Sequence, residues 1–418
     1  MGNKKIPKIR FNNSKIDWQQ VKFKNLLNSE EGIRRGPFGS ALKKELFVQN
    51  SEYVVYEQQN AIYDHFNTRY RISEEKYREL KKFMLLPGDF IMSGAGTIGK
   101  ISLVPEGIEK GVFNQALIRL RVNKNTDKEF FLQWMRSPEM QNKLTKANPA
   151  SAIVNLVPMS EVKEWDVIVP SIEEQSAIGS LFRTLDDLLD SYKDNLTNYQ
   201  SLKATMLSKM FPKTGQTVPE IRLDGFEGEW EINKLNKYLT VSKKKNTQQK
   251  FGKEDVLSVS GEVGIVNQIQ FQGRSFAGVS VEMYSIVDTG NIVYTKSPLK
   301  ANPYGIIKTN YGIPGIVSTL YAVYLPNENV FSGFVERYFE NDLRLNSYLK
   351  PLVNKGAKND MKVSDENALL GNVIFPKLEE QVAISDYFTN LDKFIQSYKE
   401  KISQLETLKK KLLQGMFI

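Results

Sequence analysis

The sequence predicts an α+β fold, with two mixed α/β domains separated by two long helices that form an antiparallel, pseudo-twofold symmetric coiled coil. Three observations predict it: a gapless internal repeat, heptad spacing inside the repeat, and short strand-like segments outside it. Residues 167–212 recur as residues 373–418, with 19 identities over 46 aligned positions. A period of 206 residues is too long for a solenoid, so it indicates two whole domains, each followed by a long helix.

A second, shorter repeat lies ahead of each domain. Segments 7–18 and 219–230 share four residues at matching positions, which are Pro7, Ile9, Arg10 and Trp18 in the first and Pro219, Ile221, Arg222 and Trp230 in the second. We therefore divide the chain into a first domain (1–166), a central conserved helix (167–215), a second domain (216–372) and a C-terminal conserved helix (373–418).

The repeated segment reads as a long helix with a narrow apolar stripe. Its apolar residues follow one another at alternating steps of four and three, the a/d pattern of a left-handed coiled coil. These seam residues are Ile178, Phe182, Leu185, Leu189, Tyr192, Leu196 and Tyr199 in the first copy and Ile384, Phe388, Leu391, Ile395, Tyr398, Ile402 and Leu405 in the second. Both copies then take an extra step of three, to Leu202 and Leu408, which predicts a stammer that overwinds the coil.

Proline and charge mark the ends of both helices. Pro170 and Pro376 precede them, paired glutamates in each first turn suit the positive end of the helix dipole, and Pro212 stops the first helix. From about Ile172 to Met210 that helix would span roughly 58 Å at ~1.5 Å per residue. A twofold axis between like helices makes them antiparallel, which points the two domains in opposite directions, a geometry suited to reading two DNA half-sites set apart along a duplex.

Composition favours a cytoplasmic protein with a polyanionic partner. The formal net charge is +9, and residues 1–170 carry 27 basic against 19 acidic side chains. There is no cysteine, so disulfides, thiolate zinc sites and a cysteine nucleophile are excluded. No apolar run is long enough to cross a bilayer, and the basic start of the chain lacks the apolar stretch of a secretory signal.

The two domains differ in sequence but share a strand-rich pattern. Segments 51–56, 88–93, 99–104 and 116–122 predict strands in the first domain, and segments 256–260, 291–296, 315–325 and 372–375 predict strands in the second. One amphipathic helix is expected in each, at Glu129–Leu144 and Phe334–Leu352. The divergent loops between matching framework segments indicate that each domain recognises something different.

One glycine-rich segment resembles a phosphate-binding loop. Residues Gly94 to Lys100 fit G-x-G-x-x-G and nearly fit a P-loop, which would make the chain a nucleotide-binding enzyme. Both loops need a helix to begin directly after them, whereas Ile101 to Pro105 reads as a strand closed by proline. We therefore predict a strand-turn-strand hairpin. His65 is the sole histidine, so a Ser-His-Asp triad and a histidine metal site are also disfavoured, and no metal site is expected.

Basic side chains cluster in the variable segments of both domains. Arginine can grip guanine in a bidentate manner, and lysine more often holds phosphate. The candidate DNA-binding residues are Arg34, Arg35, Lys43, Lys44, Arg69, Arg71 and Lys100 in the first domain and Lys243, Lys244, Lys245, Arg274, Lys296 and Lys300 in the second. The run Lys409–Lys411 is expected to be a solvated helix face.

In its layout the chain resembles the specificity subunit of type I restriction–modification enzymes. The resemblance covers essentially the whole chain and rests on the order and duplication of individually weak motifs. These are the Pro-x-Ile-Arg segments that end at Trp18 and Trp230, Gly36-Pro-Phe-Gly39, Pro87-Gly-Asp89 with Gly96-Thr-Ile-Gly99, Pro170-Ser-Ile-Glu-Glu-Gln175 and Pro376-Lys-Leu-Glu-Glu-Gln381. The second domain departs from the pattern, because it lacks the Gly-Thr-Ile-Gly turn.

The resemblance implies a non-catalytic subunit with two target recognition domains, each reading one half of a bipartite, asymmetric DNA site. It implies as partners double-stranded DNA, two modification (methyltransferase) subunits and restriction subunits, with no membrane. The chain itself would bind no cofactor; the partner subunits would use S-adenosylmethionine, ATP and Mg²⁺ to methylate adenine or cleave DNA. Two alternatives stay open beside the nucleotide-binding enzyme: a recognition subunit of a type IIB-like bifunctional enzyme, and a coiled-coil scaffold.

Overall fold

The computed structural model describes residues 7–11, 17–94, 97–146, 158–296, 298–299, 301–355 and 361–417. The chain divides into two compact units. The first holds Met1–Lys193 together with Glu400–Ile418, and the second holds Asp194–Lys399. Each unit therefore contains one domain, part of the first long helix and part of the second.

The first domain is built from short strands and five helices within its described residues. Its strands are β1 (Gln19–Lys22), β2 (Ile33–Arg35), β3 (Phe47–Val48), β4 (Tyr53–Tyr56), β5 (Tyr70–Ile72), β6 (Phe90–Ser93), β7 (Ile101–Leu103), β8 (Gly111–Phe113), β9 (Leu117–Leu120) and β10 (Asp166–Val169). Its helices are α1 (Gln58–Tyr63), α2 (Glu74–Glu79), α3 (Lys128–Arg136), α4 (Pro138–Lys146) and α5 (Met159–Lys163). Short 3₁₀ turns occupy Phe23–Leu26, Gly39–Leu42, Lys44–Leu46 and Lys81–Phe83.

The first domain contains two four-stranded sheets. One has the order β2-β9-β6-β7 and is antiparallel, and the other has the order β3-β5-β4-β8, with β4 and β8 parallel. All four residues of β6 are buried because the strand serves two cores. Phe90 and Met92 pack with the aromatic residues of α3, while Ile91 points to the opposite core with Val54 and Phe113.

The glycine-rich segment forms the predicted hairpin. Strands β6 and β7 pair antiparallel, and Gly99 donates its N–H to the carbonyl of Ser93 at 3.0 Å with a φ of +76°. Strand β7 follows directly, so the helix N-terminus that a phosphate-binding loop needs is absent from this described segment. Gly96 lies outside the described residues.

The predicted single helix at Glu129–Leu144 is wrong, because two helices occupy this segment. Helix α3 begins at the Asp127 N-cap, whose carboxylate accepts the Phe130 N–H at 2.9 Å. It ends at Ser137, which is extended (φ −62°, ψ 148°) as the residue before a proline tends to be. Pro138 then opens α4, where its missing N–H costs nothing.

The long helix α6 (Ile172–Lys209) leads into the second domain. There the strands are β11 (Glu231–Lys234), β12 (Leu239–Val241), β13 (Leu257–Ser260), β14 (Gly264–Asn267), β15 (Ser285–Val287), β16 (Ile292–Tyr294), β17 (Ile307–Thr309), β18 (Gly315–Val317), β19 (Ala322–Pro326), β20 (Asn354–Lys355), β21 (Met361–Lys362) and β22 (Asn372–Phe375). The helices are α7 (Gln268–Gln272), α8 (Ser332–Phe339), α9 (Asp342–Leu349) and the second long helix α10 (Leu378–Gly415). Further 3₁₀ turns lie at Leu235–Lys237, Lys253–Asp255, Lys350–Leu352 and Asn367–Leu369.

The central sheet of the second domain has the order β12-β19-β16-β17. Strands β11 and β22 pair at the base of the domain, as β1 and β10 do in the first. Gly88 and Gly290 both have a φ of +85°, so the framework match seen in the sequence extends to backbone conformation. Asp89 and Asn291 also act alike, since each side chain accepts a backbone N–H three residues earlier, at 2.9 Å.

The predicted helix at Phe334–Leu352 is also divided. Helix α8 stops at Phe339, and Asn341 caps the next helix by accepting the Arg344 N–H at 3.0 Å. An asparagine that can cap competes with a continuous helix by offering the backbone a local partner. In both domains, therefore, a broken helix pair replaces one straight helix.

The long helices lie where the sequence places them. Helix α6 begins two residues after Pro170 and ends shortly before Pro212, and α10 begins two residues after Pro376. In the first unit, Lys193 pairs with Glu406 at 3.3 Å and Asp186 pairs with Lys409. In the second unit, Tyr199 stacks on Tyr398 with ring centroids 5.5 Å apart and Lys203 pairs with Asp392. Within each unit, residues later in α6 contact residues earlier in α10, so the two helices pack antiparallel.

The predicted stammer is wrong. Leu202 and Leu408 are 36% and 44% exposed, so neither belongs to the seam. The four-three spacing instead continues unchanged through Tyr199, Lys203 and Met206 in α6 to Met210 just after it, and through Leu405, Lys409 and Leu412 in α10 to Met416 just after it. A search for apolar residues alone skips Lys203 and Lys409, because lysine counts as polar. The aliphatic part of a lysine side chain can nevertheless be buried while its ammonium group binds a carboxylate.

Across the described ranges, none of the helices is long and apolar enough to span a membrane.

Candidate nucleic-acid interface

Each domain is tied to the start of its long helix by a bidentate arginine–glutamate pair. Arg10 donates from Nε and Nη2 to the two carboxylate oxygens of Glu174, both at 2.7 Å. Arg222 makes the same pair with Glu380 at 2.8 and 2.7 Å. The glutamates are nearly buried, and the hydrogen bond to Glu174 raises the pKa of Arg10. The paired arginines found by the sequence repeat thus secure the domain to its helix.

The glutamine that follows each of these glutamates makes a second tie. Gln175 accepts the Asp127 N–H at 3.0 Å and donates to the Pro170 carbonyl at 3.0 Å. Gln381 accepts the Phe331 N–H and donates to the Pro376 carbonyl, both at 2.9 Å. Both side chains are buried, so each satisfies backbone groups where a domain helix and a long helix begin. This accounts for the repeated Pro-x-x-Glu-Glu-Gln sequence.

A phenylalanine at the far end of each long helix completes the anchor. Phe417 packs on Phe182 and Phe130 in the first unit, with ring centroids 5.8 and 5.7 Å apart. Phe211 packs on Phe388 and Phe334 in the second, at 6.1 and 5.7 Å. Each domain is therefore held by the beginning of one long helix and the end of the other.

A polar network crosses the seam in the second unit. Lys203 donates to Asp392 at 2.6 Å and to Glu340 at 2.5 Å, and Arg337 pairs with both acids at 2.7 and 2.8 Å. Burial raises the pKa of Glu340, but the charges of Arg337 and Lys203 outweigh it and leave that pKa below its ordinary value. The acid therefore stays ionised inside the unit.

The first unit has the matching network in simpler form. Lys409 pairs with Asp186, which also accepts the side-chain amide of Gln133 at 3.1 Å. Gln133 occupies on α3 the place that Arg337 occupies on α8. The expectation that Lys409 lies on a solvated face is wrong, because its ammonium is held by this carboxylate.

One close contact differs between the units. A β-carbon added at Gly179 of α6 would lie 2.6 Å from Asp127 Oδ1 and 2.9 Å from the Glu129 β-carbon. In the second unit the glycine is on the domain side: a β-carbon at Gly333 would lie 2.4 Å from the hydroxyl of Ser385. In each unit, then, one of the two facing positions is a glycine with little room for a β-carbon.

The predicted seam residues fall into two groups by burial. Ile178, Phe182, Leu185, Leu189, Ile384, Phe388 and Leu391 are buried. Tyr192, Leu196, Tyr199, Ile395, Tyr398, Ile402 and Leu405 are half-buried. The buried group consists mainly of residues that also face a domain core, since Ile178, Phe182 and Leu185 share the core of α3 and Ile384, Phe388 and Leu391 share that of α8.

In the first domain the candidate cations differ in how firmly they are held. Arg71 is committed internally, with the Ser51 carbonyl at 2.7 Å and Glu109 at 2.8 Å. Arg69 pairs with Glu57 at 2.8 Å and covers the ring of Tyr70, yet its side chain stays mostly exposed. Arg34 lies 3.9 Å from Glu31. Arg35, Lys43, Lys44 and Lys100 are exposed, and no ion pair holds them within the described ranges.

Most of the exposed cations surround the loop Gly36–Gly39. Phe38 at its tip is 90% exposed, the largest value for an apolar side chain in the described part of this unit. A cleft of about 1070 Å³ that the loop itself helps to line also contains Arg35, Lys82 and Phe83. A second cleft of about 230 Å³ is lined by Lys44, Arg69 and Tyr70. The candidate DNA-binding residues chosen from the sequence do not include Lys82, although its position next to Lys81 marks a short basic run.

In the second domain several candidates have internal partners. Lys244 pairs with Asp288 at 3.1 Å, Lys245 donates to Ser285 at 2.9 Å, and Lys296 pairs with Asp365 at 2.7 Å. Lys243 is exposed, and Arg274 lies 4.5 Å from the ring centroid of Phe276. Lys300 lies outside the described residues. The exposed cations of this domain therefore sit on segments unlike those of the first.

The segment around α7 also exposes apolar side chains that the sequence clusters did not include. Phe271, Phe276 and Val279 are all about half or more exposed, beside Arg274. Among the described residues, no group of histidine, aspartate and glutamate side chains is arranged to hold a metal ion. The assignment of the cations in both domains to DNA contact stays a prediction.

The chain is similar in sequence to known proteins. The family model for the type I restriction modification DNA specificity domain matches residues 15–199. A Methanocaldococcus jannaschii protein, provisionally assigned as the MjaX specificity subunit of a type I restriction enzyme, is 21% identical over 82% of this chain and 80% of that protein. The EcoBI specificity subunit of Escherichia coli is 26% identical over 49% of this chain and 44% of its own length.

The fold has a solved counterpart. The crystal structure of the S subunit of a type I restriction-modification system from M. genitalium aligns over 99% of both chains with a TM-score of 0.57 and 16% identity. The matched model is that of a DNA specificity domain, and it covers the first anchored domain and most of α6. The chain is similar to the specificity subunits of type I restriction–modification systems, over residues 15–199 by the family model and over its whole length in fold.

Proposed function

We propose that each domain reads one half of a bipartite, asymmetric DNA sequence and so directs adenine methylation or restriction by partner subunits. The observation that carries the proposal is the contrast between the two faces of each domain. Every tie to the long helices occurs twice, from the arginine–glutamate pair to the terminal phenylalanine. The exposed loops share no such pattern, as expected of surfaces that read different sequences.

In the first domain we assign DNA contact to the surface around the Gly36–Gly39 loop. Arg35, Lys43 and Lys44 are exposed there and carry no ion pair within the described ranges, so their charge is available to phosphate. Arg69 lines the adjoining cleft and keeps much of its guanidinium in solvent. Arg71 is a framework residue in this assignment, because two internal partners already occupy it.

In the second domain we assign contact to Lys243 and to Arg274 beside α7. Arg274 is stacked on Phe276, which pre-orders its guanidinium for a base edge or a phosphate. Lys244, Lys245 and Lys296 are paired with residues of their own domain and would support the surface. Residues 268–274 have no counterpart in the first domain by sequence repeat, in keeping with a different half-site.

The catalytic work would belong to partners. We propose that two modification subunits bind the paired long helices and methylate adenine with S-adenosylmethionine, and that restriction subunits supply ATP-driven cleavage with Mg²⁺. The exposed sides of α6 and α10 support this, since most of their residues between the two anchors face solvent.

Genome-wide mapping of methyladenine tests the proposal directly. A strain with the gene should show one bipartite motif that disappears on deletion and returns on complementation. A complementing chain that carries Lys243→Ala with Arg274→Ala should lose methylation at sites with imperfect second half-sites first, because only that half is weakened. A methylation pattern identical with and without the gene would contradict the proposal.

A further inference from the structure

We propose that Phe38 is a wedge that inserts between base pairs of the first half-site. The inference rests on the proposed function and adds a deformation of the duplex to it. Phe38 is 90% exposed, whereas a phenylalanine side chain is ordinarily driven out of water by its apolar surface. The surface that carries it is basic, so the occupant it suits is a polyanion rather than an apolar partner.

Hydrogen bonds and close packing hold the loop beneath Phe38. Gly36 donates its N–H to the Leu117 carbonyl at 2.9 Å, and a β-carbon at Gly36 would lie 1.9 Å from the Asn114 carbonyl oxygen. Pro37 is buried beside it, and Ala41 donates to the Phe38 carbonyl at 2.8 Å. These contacts hold the backbone that presents the ring, so insertion would order chiefly the ring's own side chain.

Both clefts that Phe38 helps to line contain basic side chains. Arg35 and Lys82 line the larger cleft together with Glu79, and Lys44 and Arg69 line the smaller one together with Glu57, so the cations outnumber the acids in each. Phosphates on either side of a base step are the groups that such a pair of basic clefts would hold. An apolar side chain between two phosphate contacts is the arrangement by which proteins unstack a step and bend the duplex.

The insertion predicts a local change in DNA that a surface contact would not cause. A base next to the wedge loses stacking on one face, so 2-aminopurine placed there should brighten, and a thymine there should become reactive to permanganate. Phe38 is uncharged, so its removal should leave the number of released counterions unchanged. Affinity and salt dependence thus separate the wedge from the cations around it.

The test uses the complex of the full-length chain with its modification subunits and a duplex that carries the mapped site. Phe38→Ala should weaken specific binding roughly 10- to 100-fold and abolish the 2-aminopurine signal, with an unchanged slope of log affinity against log salt. Phe38→Leu, which keeps an apolar wedge, should retain much of both. Tyr63→Ala is the matched control, because Tyr63 is 71% exposed in the same unit and lies outside both clefts.

Three outcomes would overturn the wedge. Unchanged affinity and unchanged base signals in Phe38→Ala would remove it while leaving the proposed function intact. Failure of Phe38→Ala to bind modification subunits, measured by mass photometry, would assign the ring to a protein interface instead. Absence of any sequence-selective binding by the wild-type complex would overturn the proposed function itself, and the wedge with it.

Discussion

Lys203 Nζ lies 2.6 Å from Asp392 Oδ1, and 206 positions further along the repeat Lys409 forms the same pair with Asp186. In each unit the lysine comes from the end of one long helix and the aspartate from the first half of the other. A single polar pair in an apolar seam penalises every other register, because a shift leaves the charge without its partner. The repeat therefore conserves an alignment device as well as a stripe of apolar residues.

Reversing the charge of Asp186 should show how much its pair with Lys409 contributes to stability. Asp186→Lys in the isolated chain should lower the free energy of unfolding of the first unit by about 1–3 kcal/mol, between the values for surface and buried pairs. Adding Lys409→Asp restores opposite charges and should recover at least half of that decrease. Urea unfolding of the four members of this cycle measures the coupling, and strictly additive effects would contradict the pairing.

Replacing Gln381 should loosen the second domain from its helix. Gln381→Leu leaves the Phe331 N–H and the Pro376 carbonyl without a partner, so the free energy of unfolding should fall by about 2–3 kcal/mol. Hydrogen exchange should speed up first at the start of α8. Gln404→Leu is the control, because Gln404 is exposed on the same helix; equal effects of the two changes would contradict the anchor.

Acid should weaken the second unit through Glu340. Its pKa in the folded chain lies below the ordinary value of 4.5, so its contribution is complete above that value and is lost as pH falls through the lowered pKa. The stability difference between wild type and Glu340→Gln, about 1–3 kcal/mol at pH 7, should therefore shrink below about pH 4.5. A difference that stays constant down to about pH 3 would show that the charge plays no part.

Exposed and committed arginines should differ in their effect on DNA binding. Arg35→Ala should lower the salt slope of binding by about 0.9 for each phosphate that the variant no longer neutralises. Arg71→Ala should leave the slope unchanged and instead reduce stability by about 1 kcal/mol, because its partners are Ser51 and Glu109. Fluorescence anisotropy at several salt concentrations distinguishes them, and a lower slope in Arg71→Ala would reverse the assignment.

The seam itself can be tested by one matched pair of substitutions. Phe388→Ala removes a fully buried ring and should cost about 3–5 kcal/mol. Leu408→Gln changes a residue that is 44% exposed and should cost less than about 0.5 kcal/mol. Thermal unfolding of the two variants checks this; a large destabilisation by Leu408→Gln would return Leu408 to the seam.

Periodicity and repetition in the sequence predicted the long helices, whereas single capping residues decided where the shorter helices break. The long helices follow from the spacing of residues such as Phe182 and Phe388, because many turns of one pattern outweigh any single position. The breaks at Ser137 and Asn341 depend on one residue each, and an amphipathic pattern continues across them. Lys203 was missed because a lysine counts as polar until a specific carboxylate is known to face it.

The DNA-facing residues were harder to separate by sequence. Arg69 and Arg71 stand two positions apart and look equivalent, yet Arg71 donates to a backbone carbonyl as well as to Glu109, whereas Arg69 pairs with Glu57 and stays mostly exposed. That difference arises from the pairing of β5 with β4, which places Ser51 within reach. Composition can therefore locate a basic surface, whereas long-range strand pairing decides which of its cations are available.

The two halves of the repeat are not equivalent where the long helix meets the domain, because the glycine lies on the helix in the first unit (Gly179) and on the domain in the second (Gly333). A domain with glycine at the second position of its anchoring helix, as at Gly333, leaves space for either Gly179 or Ser385 on the long helix. A domain with Glu129 there brings its own β-carbon to that space and tolerates only glycine opposite. The second domain could then replace the first on the helix that carries Gly179, whereas the first domain would clash with Ser385 if it replaced the second. Exchange of the two domains during evolution would therefore be possible in one direction only.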